Sequence, residues 1–148
     1  MIFYKKINAI YENFCVKDSA CAPFTKFATP KNVYDSFCYL RNESKEYLLT
    51  LHLDCGNKLI CIDTVSIGTL NSSQVHPREV LKTALLSSAN SIIMLHNHPS
   101  GETNPSTQDI YITKKLKHAC DLMGIGLLDH IIIGDDFYSF KENTDILN

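Results

Sequence analysis

The stretch Ser91 to Asp109, SIIMLHNHPSGETNPSTQD, constrains the fold more than any other part of the 148-residue chain. Ser91 to Leu95 is a short apolar run ending on His96, the pattern of a buried strand. Pro99, Gly101 and Pro105 then exclude regular structure, so His96 to Pro105 is expected to be loop. Ser106 follows as a helix N-cap, with Asp109 three residues on. The sequence thus specifies strand, loop and helix, with two histidines where the strand ends and a carboxylate in the first turn of the helix.

Alternation along an extended segment places residues i and i+2 on one side, so His96 and His98 can face one point while Asn97 points away. Asp109 precedes Ile112 and Leu116 by three and seven residues and so belongs to the inward face of its helix. Two imidazoles and a carboxylate are a three-ligand metal set, and three protein ligands leave a coordination position open, as in catalytic zinc sites. The donor types suit zinc. A metal there can lower the pKa of water and supply a nucleophile at neutral pH. Taken alone, Asp109 is better explained as part of a helix cap, because Ser106 and Asp109 fit a capping-box-like pattern. Ser106 likewise has two candidate jobs, N-cap and hydrogen-bond donor to an oxyanion. A hydrolase of this kind needs a general base, and Glu79, in the first turn of the helix after Pro77, is the candidate. Helix-terminus electrostatics alone would also account for Glu79. His76 reads as a loop histidine, His52 as structural, and His130 as a strand residue able to hydrogen-bond near the site.

The rest of the chain supplies the remaining layers. Residues 1–30 are read as an irregular N-terminal extension, with Pro23 and Pro30 as breakers, and residues 31–148 as the folded domain. Lys31 to Leu40 reads as a short helix with Val33, Phe37 and Leu40 on one face. Glu46–Asp54 and Leu59–Ile67 read as strands of a hairpin turning at Gly56-Asn57. Gly68 to Val75 reads as loop. Pro77 opens a helix running to about Ala89, with Val80, Leu81, Ala84 and Leu85 as its apolar stripe. The helix after Ser106 continues to Met123, with Ile112, Leu116, Ala119 and Met123 inward and Gly124 and Gly126 ending it. Leu127–Ile133 and Phe137–Phe140 are strands about a Gly134-Asp135-Asp136 turn. This order predicts an α/β fold, a mixed sheet flanked by helices.

Composition excludes several classes. A hydrophobic content of 45% with 20% charged residues is that of a globular domain rather than a disordered chain. A net charge of −2 does not support strong attraction to nucleic acid. The cluster Lys114, Lys115, Lys117 and His118 reads as a solvated helix face. No apolar run is long enough to span a bilayer, and Met1 to Ala9 lacks the apolar region of a signal peptide. The six cysteines, at 15, 21, 38, 55, 61 and 120, form no Cys-x-x-Cys pair. They are expected to be reduced thiols in a cytoplasm, most of them packed as small hydrophobes.

Glu79, His96-x-His98-Pro99 and Ser106-x-x-Asp109 together resemble the JAMM motif of the JAB/MPN+ metalloproteases. The longer strings Leu95-His96-Asn97-His98-Pro99-Ser100-Gly101, Asn104-Pro105-Ser106 and Leu128-Asp129-His130 resemble the RadC-type bacterial branch, over roughly residues 30 to 140. The resemblance implies a JAB/MPN-like, cytidine-deaminase-like α/β sandwich. It implies a Zn2+ ion held by His96, His98 and Asp109 with water as the fourth ligand. It further implies Glu79 as general acid/base, Ser106 as oxyanion stabiliser, and a peptide or isopeptide bond as substrate. Longer members of that branch carry a helix-hairpin-helix-like region tied to DNA binding. The first 30 residues here show no paired-helix pattern, so the DNA-repair label is not expected to transfer. Long insertions of the kind that grip ubiquitin are not seen either. The alternatives are a nucleic-acid-binding accessory protein or nuclease and a non-catalytic MPN scaffold. The full set of motif residues weighs against the scaffold.

Overall fold

A computed structural model describes residues 1–8, 10–13, 25–68 and 75–148. Cys15, Cys21, Pro23 and most of the loop expected after Gly68 lie outside the described residues. The elements in chain order are α1 (Pro30–Phe37), a 3-10 turn (Cys38–Asn42), β1 (Tyr47–Leu53), β2 (Leu59–Ile67), α2 (Pro77–Leu86), β3 (Ser91–Asn97), α3 (Thr107–Met123), β4 (Gly126–Ile133), β5 (Phe137–Ser139) and α4 (Phe140–Asn143). The five strands form one sheet in the order β2-β1-β3-β4-β5. The β1/β2, β1/β3 and β4/β5 pairs are antiparallel. The β3/β4 pair is parallel, with α3 as the crossover. The fold is therefore α/β, a mixed sheet flanked by helices, as the sequence predicts.

β3 is buried along its whole length, because a parallel pair flanked by helices presents neither face to water. Period-two alternation divides its side chains between two cores. Ile92 and Met94 join Val80, Leu81 and Ala84 of α2 and Ile112, Leu116 and Cys120 of α3. Ile93 and Leu95 join Val33 and Phe37 of α1, Leu49, Leu51 and Leu53 of β1, and Ile131 and Ile133 of β4. His96 continues the Ile92–Met94 series and so lies on the α2/α3 side, where Asp109 waits.

Local chemistry accounts for the element ends. The Thr29 hydroxyl accepts from the Asn32 N–H at 3.2 Å and caps α1, with Pro30 in its first turn. At the hairpin turn, Asp54 Oδ1 accepts from the N–H groups of Gly56 and Lys58 at 2.8 and 2.9 Å. Gly124 ends α3 in the left-handed conformation, φ 68°, the geometry glycine adopts without a steric cost.

Several expectations need correction. β3 extends through His96 to Asn97 rather than ending at Leu95, because β4 continues beside it as far as Ile133. The helix over α1 stops at Phe37 and tightens into the 3-10 turn. α2 ends at Leu86, and Ser88 takes a positive φ of 55°. Leu85 and Met123 are about half exposed, while Cys120 is fully buried on the α3 core face. Phe140 opens the short helix α4 instead of closing a strand, with the Ser139 hydroxyl accepting from the Glu142 N–H at 3.1 Å. The end of the N-terminal extension packs on the domain, consistent with its reading as an extension, with Lys26 bridging to Lys58 and Phe27 buried in the α1-side core. Cys38 and Cys120 are buried as expected, but Cys55 is exposed and Cys61 half-buried. No helix among the described residues is long and apolar enough to cross a membrane.

Candidate metal centre

His96 is fixed by the β3 ladder and is 1% exposed. His98 lies one residue beyond the strand, but its N–H still donates to the Ile133 carbonyl at 2.8 Å. The loop it opens closes at once, with the Gly101 N–H donating to the His98 carbonyl at 3.0 Å. His98 Nδ1 stands 2.7 Å from the Glu102 carbonyl. A carbonyl only accepts, so Nδ1 carries the hydrogen and Nε2 presents its lone pair, which is how a protein orients a metal-binding imidazole.

Asp109 reaches the same point from α3 and is 1% exposed. Ser106 and Asp109 form a capping box. The Asp109 N–H donates to Ser106 Oγ at 3.1 Å, while Asp109 Oδ2 accepts from the Ser106 N–H at 2.7 Å and from its hydroxyl at 2.6 Å. Asp109 Oδ1 stands 3.3 Å from His96 Nδ1, and Oδ2 stands 3.4 Å from His98 Nε2. Capping and convergence on the histidines are thus simultaneous, because a carboxylate has two oxygens and several lone pairs. One ligand atom from each of His96, His98 and Asp109 lies within 4.8 Å of the others.

The fit to a cation rests on what is left over. Both ring nitrogens of His96 and Asp109 Oδ1 are buried and make no hydrogen bond. Buried polar atoms without partners are costly. The lone-pair nitrogen of His96, Asp109 Oδ1 and, beside them, the lone pair of His98 Nε2 form a donor set that fits zinc or another borderline divalent ion. Charge points the same way. Burial pushes the Asp109 carboxyl up, but His96, His98 and Ser106 outweigh it and hold the group well below the usual carboxylate range. Asp109 also raises the His98 pKa, against the opposing effect of burial. Protons and metal therefore compete for His98.

The structure does not bring Glu79 to this cluster. Its carboxylate is engaged by Lys82 at 2.8 Å and by Arg78 at 3.6 Å, and these cations lower its pKa. The glutamate found there is Glu46, whose Oε2 lies 3.9 Å from His96 Nε2. The glutamate carboxylate beside the histidines is therefore not that of Glu79, as the sequence led us to expect, but that of Glu46. Its placement is built by Asn97, the middle residue of His-Asn-His. Backbone pairing of β1 with β3 ends at Leu48–His96. Beyond it the Asn97 side chain serves as a surrogate peptide group, with Oδ1 accepting from the Tyr47 N–H at 2.6 Å and Nδ2 donating to the Lys45 carbonyl at 3.0 Å. The two bonds bracket Glu46. From the other side, the Glu46 carbonyl accepts from the Gly68 N–H at 2.8 Å.

The other histidines fall outside the triad. His76 caps α2, its Nδ1 accepting from the Arg78 N–H at 3.2 Å. His52 is buried between Ser87 Oγ (2.8 Å), Thr50 Oγ1 (3.1 Å) and Cys61 Sγ (3.4 Å). Lys117 pairs with Asp121 at 2.6 Å and Lys115 lies over the Tyr111 ring, as expected of a solvated helix face.

Comparison with known proteins agrees with this architecture. Residues 27–145 match the model of the RadC-like JAB domain. A UPF0758 protein of Methanosarcina mazei is 50% identical over 117 residues, covering 78% of this chain and 51% of the relative. One from Chlorobium phaeovibrioides is 51% identical over 106 residues, covering 71% of this chain and 48% of the relative. One from Geotalea uraniireducens is 50% identical over 119 residues, covering 79% and 52%. The chain spans about half the length of these curated relatives. With the sheet order, the histidine-bearing strand end and the capped aspartate in place, the match over most of its length establishes that this chain belongs to the RadC-like JAB domain family.

Proposed function

We propose that the domain is a zinc-dependent hydrolase acting on peptide or isopeptide bonds, with His96, His98 and Asp109 as the metal ligands and Glu46 as the proton-transfer group. The observation that carries this reading is the set of unpartnered donor atoms on His96 and Asp109, with the Glu46 carboxylate at 3.9 Å. A zinc ion held there supplies Lewis acidity and lowers the pKa of water at its open position. Glu46, about one-third exposed, can take a proton from water and return it to a leaving amine. Ser106 sits exposed at the rim. Its oxygen can keep accepting from the Asp109 N–H as its proton turns from Oδ2 toward an oxyanion. Glu102 holds the His98 ring in its binding tautomer, and the Ser106 N–H steadies the Asp109 charge. Among the described residues, the free thiols of Cys55, Cys61 and Cys120 support a reducing, cytoplasmic setting.

The test is a panel of peptide and isopeptide substrates offered to the zinc-loaded chain and to Glu46→Gln and Glu79→Gln. Glu46→Gln should keep its zinc and lose at least about a hundredfold in kcat, the scale of positioned acid–base catalysis. Glu79→Gln should retain turnover. Full activity in Glu46→Gln would overturn the assigned chemistry.

A further inference from the structure

His130 is the third buried imidazole of this region, and none of the roles above uses it. It lies in β4 and is 0% exposed, with its ring stacked on Phe140 at 4.7 Å and 6.3 Å from the His96 ring. Its Nδ1 is 2.6 Å from Thr113 Oγ1, and Thr113 Oγ1 is 2.5 Å from the backbone carbonyl of Asp109. Proton accounting fixes the direction of both bonds. The Asp109 carbonyl can only accept, so it takes the single hydroxyl proton of Thr113. Thr113 must then accept from His130, whose Nδ1 carries the hydrogen. In the neutral imidazole the hydrogen is thereby fixed on Nδ1, leaving Nε2 buried without a hydrogen bond. Burial favours that neutral ring, pushing the His130 pKa down to about 3.

A threonine bonding to the carbonyl four residues back is a local helix feature. His130 turns it into a tether between elements, from the middle of β4 to the first turn of α3, ending on the main chain of Asp109. We infer that His130 and Thr113 are positioning residues for the metal centre, holding Asp109 so that its carboxylate meets His96 and His98. The inference rests on the metal-centre reading above. It assigns a purpose to a buried histidine that the ligand set leaves unexplained. Neighbours that orient first ligands are commonly worth tenfold to a hundredfold in metal affinity.

The test is zinc affinity of the full chain, by competition with a chromophoric chelator, alongside the thermal midpoint of the metal-free protein. Thr113→Val removes the hydroxyl at nearly constant shape, Thr113→Ser retains it, and His130→Phe keeps an aromatic ring for Phe140 to stack on but removes both nitrogens. Thr113→Val and His130→Phe should each weaken zinc binding by about tenfold to a hundredfold, and Thr113→Ser should restore affinity to within about threefold of the wild type. The Thr113→Val/His130→Phe double variant should bind no more weakly than the weaker single variant, since both break one bridge. Wild-type zinc affinity in Thr113→Val and His130→Phe, whatever their midpoints, overturns the inference while leaving the metal centre standing. Should His130→Phe fail to fold, the Thr113→Val and Thr113→Ser pair still decides. A wild-type chain that takes up no zinc overturns the metal-centre reading itself, and this inference with it.

Discussion

A Cβ on Gly134 would stand 2.2 Å from the carbonyl oxygen of Gly101. The β4–β5 turn therefore lies directly against the backbone of the loop that His98 opens. Two hydrogen bonds lock the contact, from the Asp135 N–H to the Gly101 carbonyl at 2.9 Å and from the His98 N–H to the Ile133 carbonyl at 2.8 Å. Gly101 is constrained from its own side, with φ +85° and a Cβ that would meet the Asp135 carboxylate at 2.8 Å.

Gly134→Ala should push the His98 loop away, because an overlap with backbone cannot be relieved by a rotamer change. The expected cost is about 1–3 kcal/mol, as for other overpacked sites, together with weaker zinc binding. Gly56→Ala is the control, its nearest neighbour being a side-chain atom at 3.4 Å. Urea unfolding of both variants checks this, and equal midpoints would contradict the tight-contact account.

Asn97→Asp keeps an acceptor for Tyr47 but loses the donor to Lys45 and buries a charge, and Asn97→Ala loses both bonds. Each should destabilise the chain by about 1–3 kcal/mol, the cost of unsatisfied buried groups. Zinc stoichiometry should survive, because the three ligands are untouched. Activity on any substrate identified should fall toward that of Glu46→Gln. Turnover at the wild-type rate in Asn97→Ala would show that the bracket does not set Glu46.

The metal-free protein should lose stability in mild acid. His52 and His130 both have pKa values lowered from 6.5 by burial. Below about pH 6.5 the unfolded chain binds protons that the folded rings resist, so stability falls as pH drops; for His130, shifted to about 3, the loss approaches about 1.4 kcal/mol per unit. His98 is shifted the opposite way. Its contribution is complete below 6.5 and is lost as pH rises through its raised value, outside this window. Urea unfolding with chelator at pH 6.5 and 5.5 should therefore show a shallower pH dependence for His130→Phe than for wild type. Identical slopes would mean that His130 does not enter the fold as a neutral ring.

The parts of this protein legible in its sequence are those written in local chemistry. Pro99, Gly101, Pro105 and Ser106 mark the loop and the helix start without reference to the rest of the chain. The metal ligands lie within one strand–loop–helix unit, so spacing alone brings them together. Glu46 was not legible in this way. It meets His96 only because β1 pairs with β3 in the register Leu48–His96, a pairing across about fifty residues that no periodicity encodes. Glu79 attracted the assignment by its place in a helix first turn, where electrostatics suffices to explain a glutamate. Leu85 and Met123 fit their helical stripes but lie near helix ends, where each is left about half exposed. Asn97 gave no signal as a clamp, since its partners are backbone atoms of a strand far away in the chain.

The most direct test of the central claim is zinc content of the purified full chain by elemental analysis, beside the His96→Ala/His98→Ala double variant. The account predicts about one zinc per wild-type chain, the stoichiometry of a single three-ligand site, and none in a folded double variant. A wild-type chain that stays empty after zinc is supplied, or a double variant that retains the metal, would contradict it.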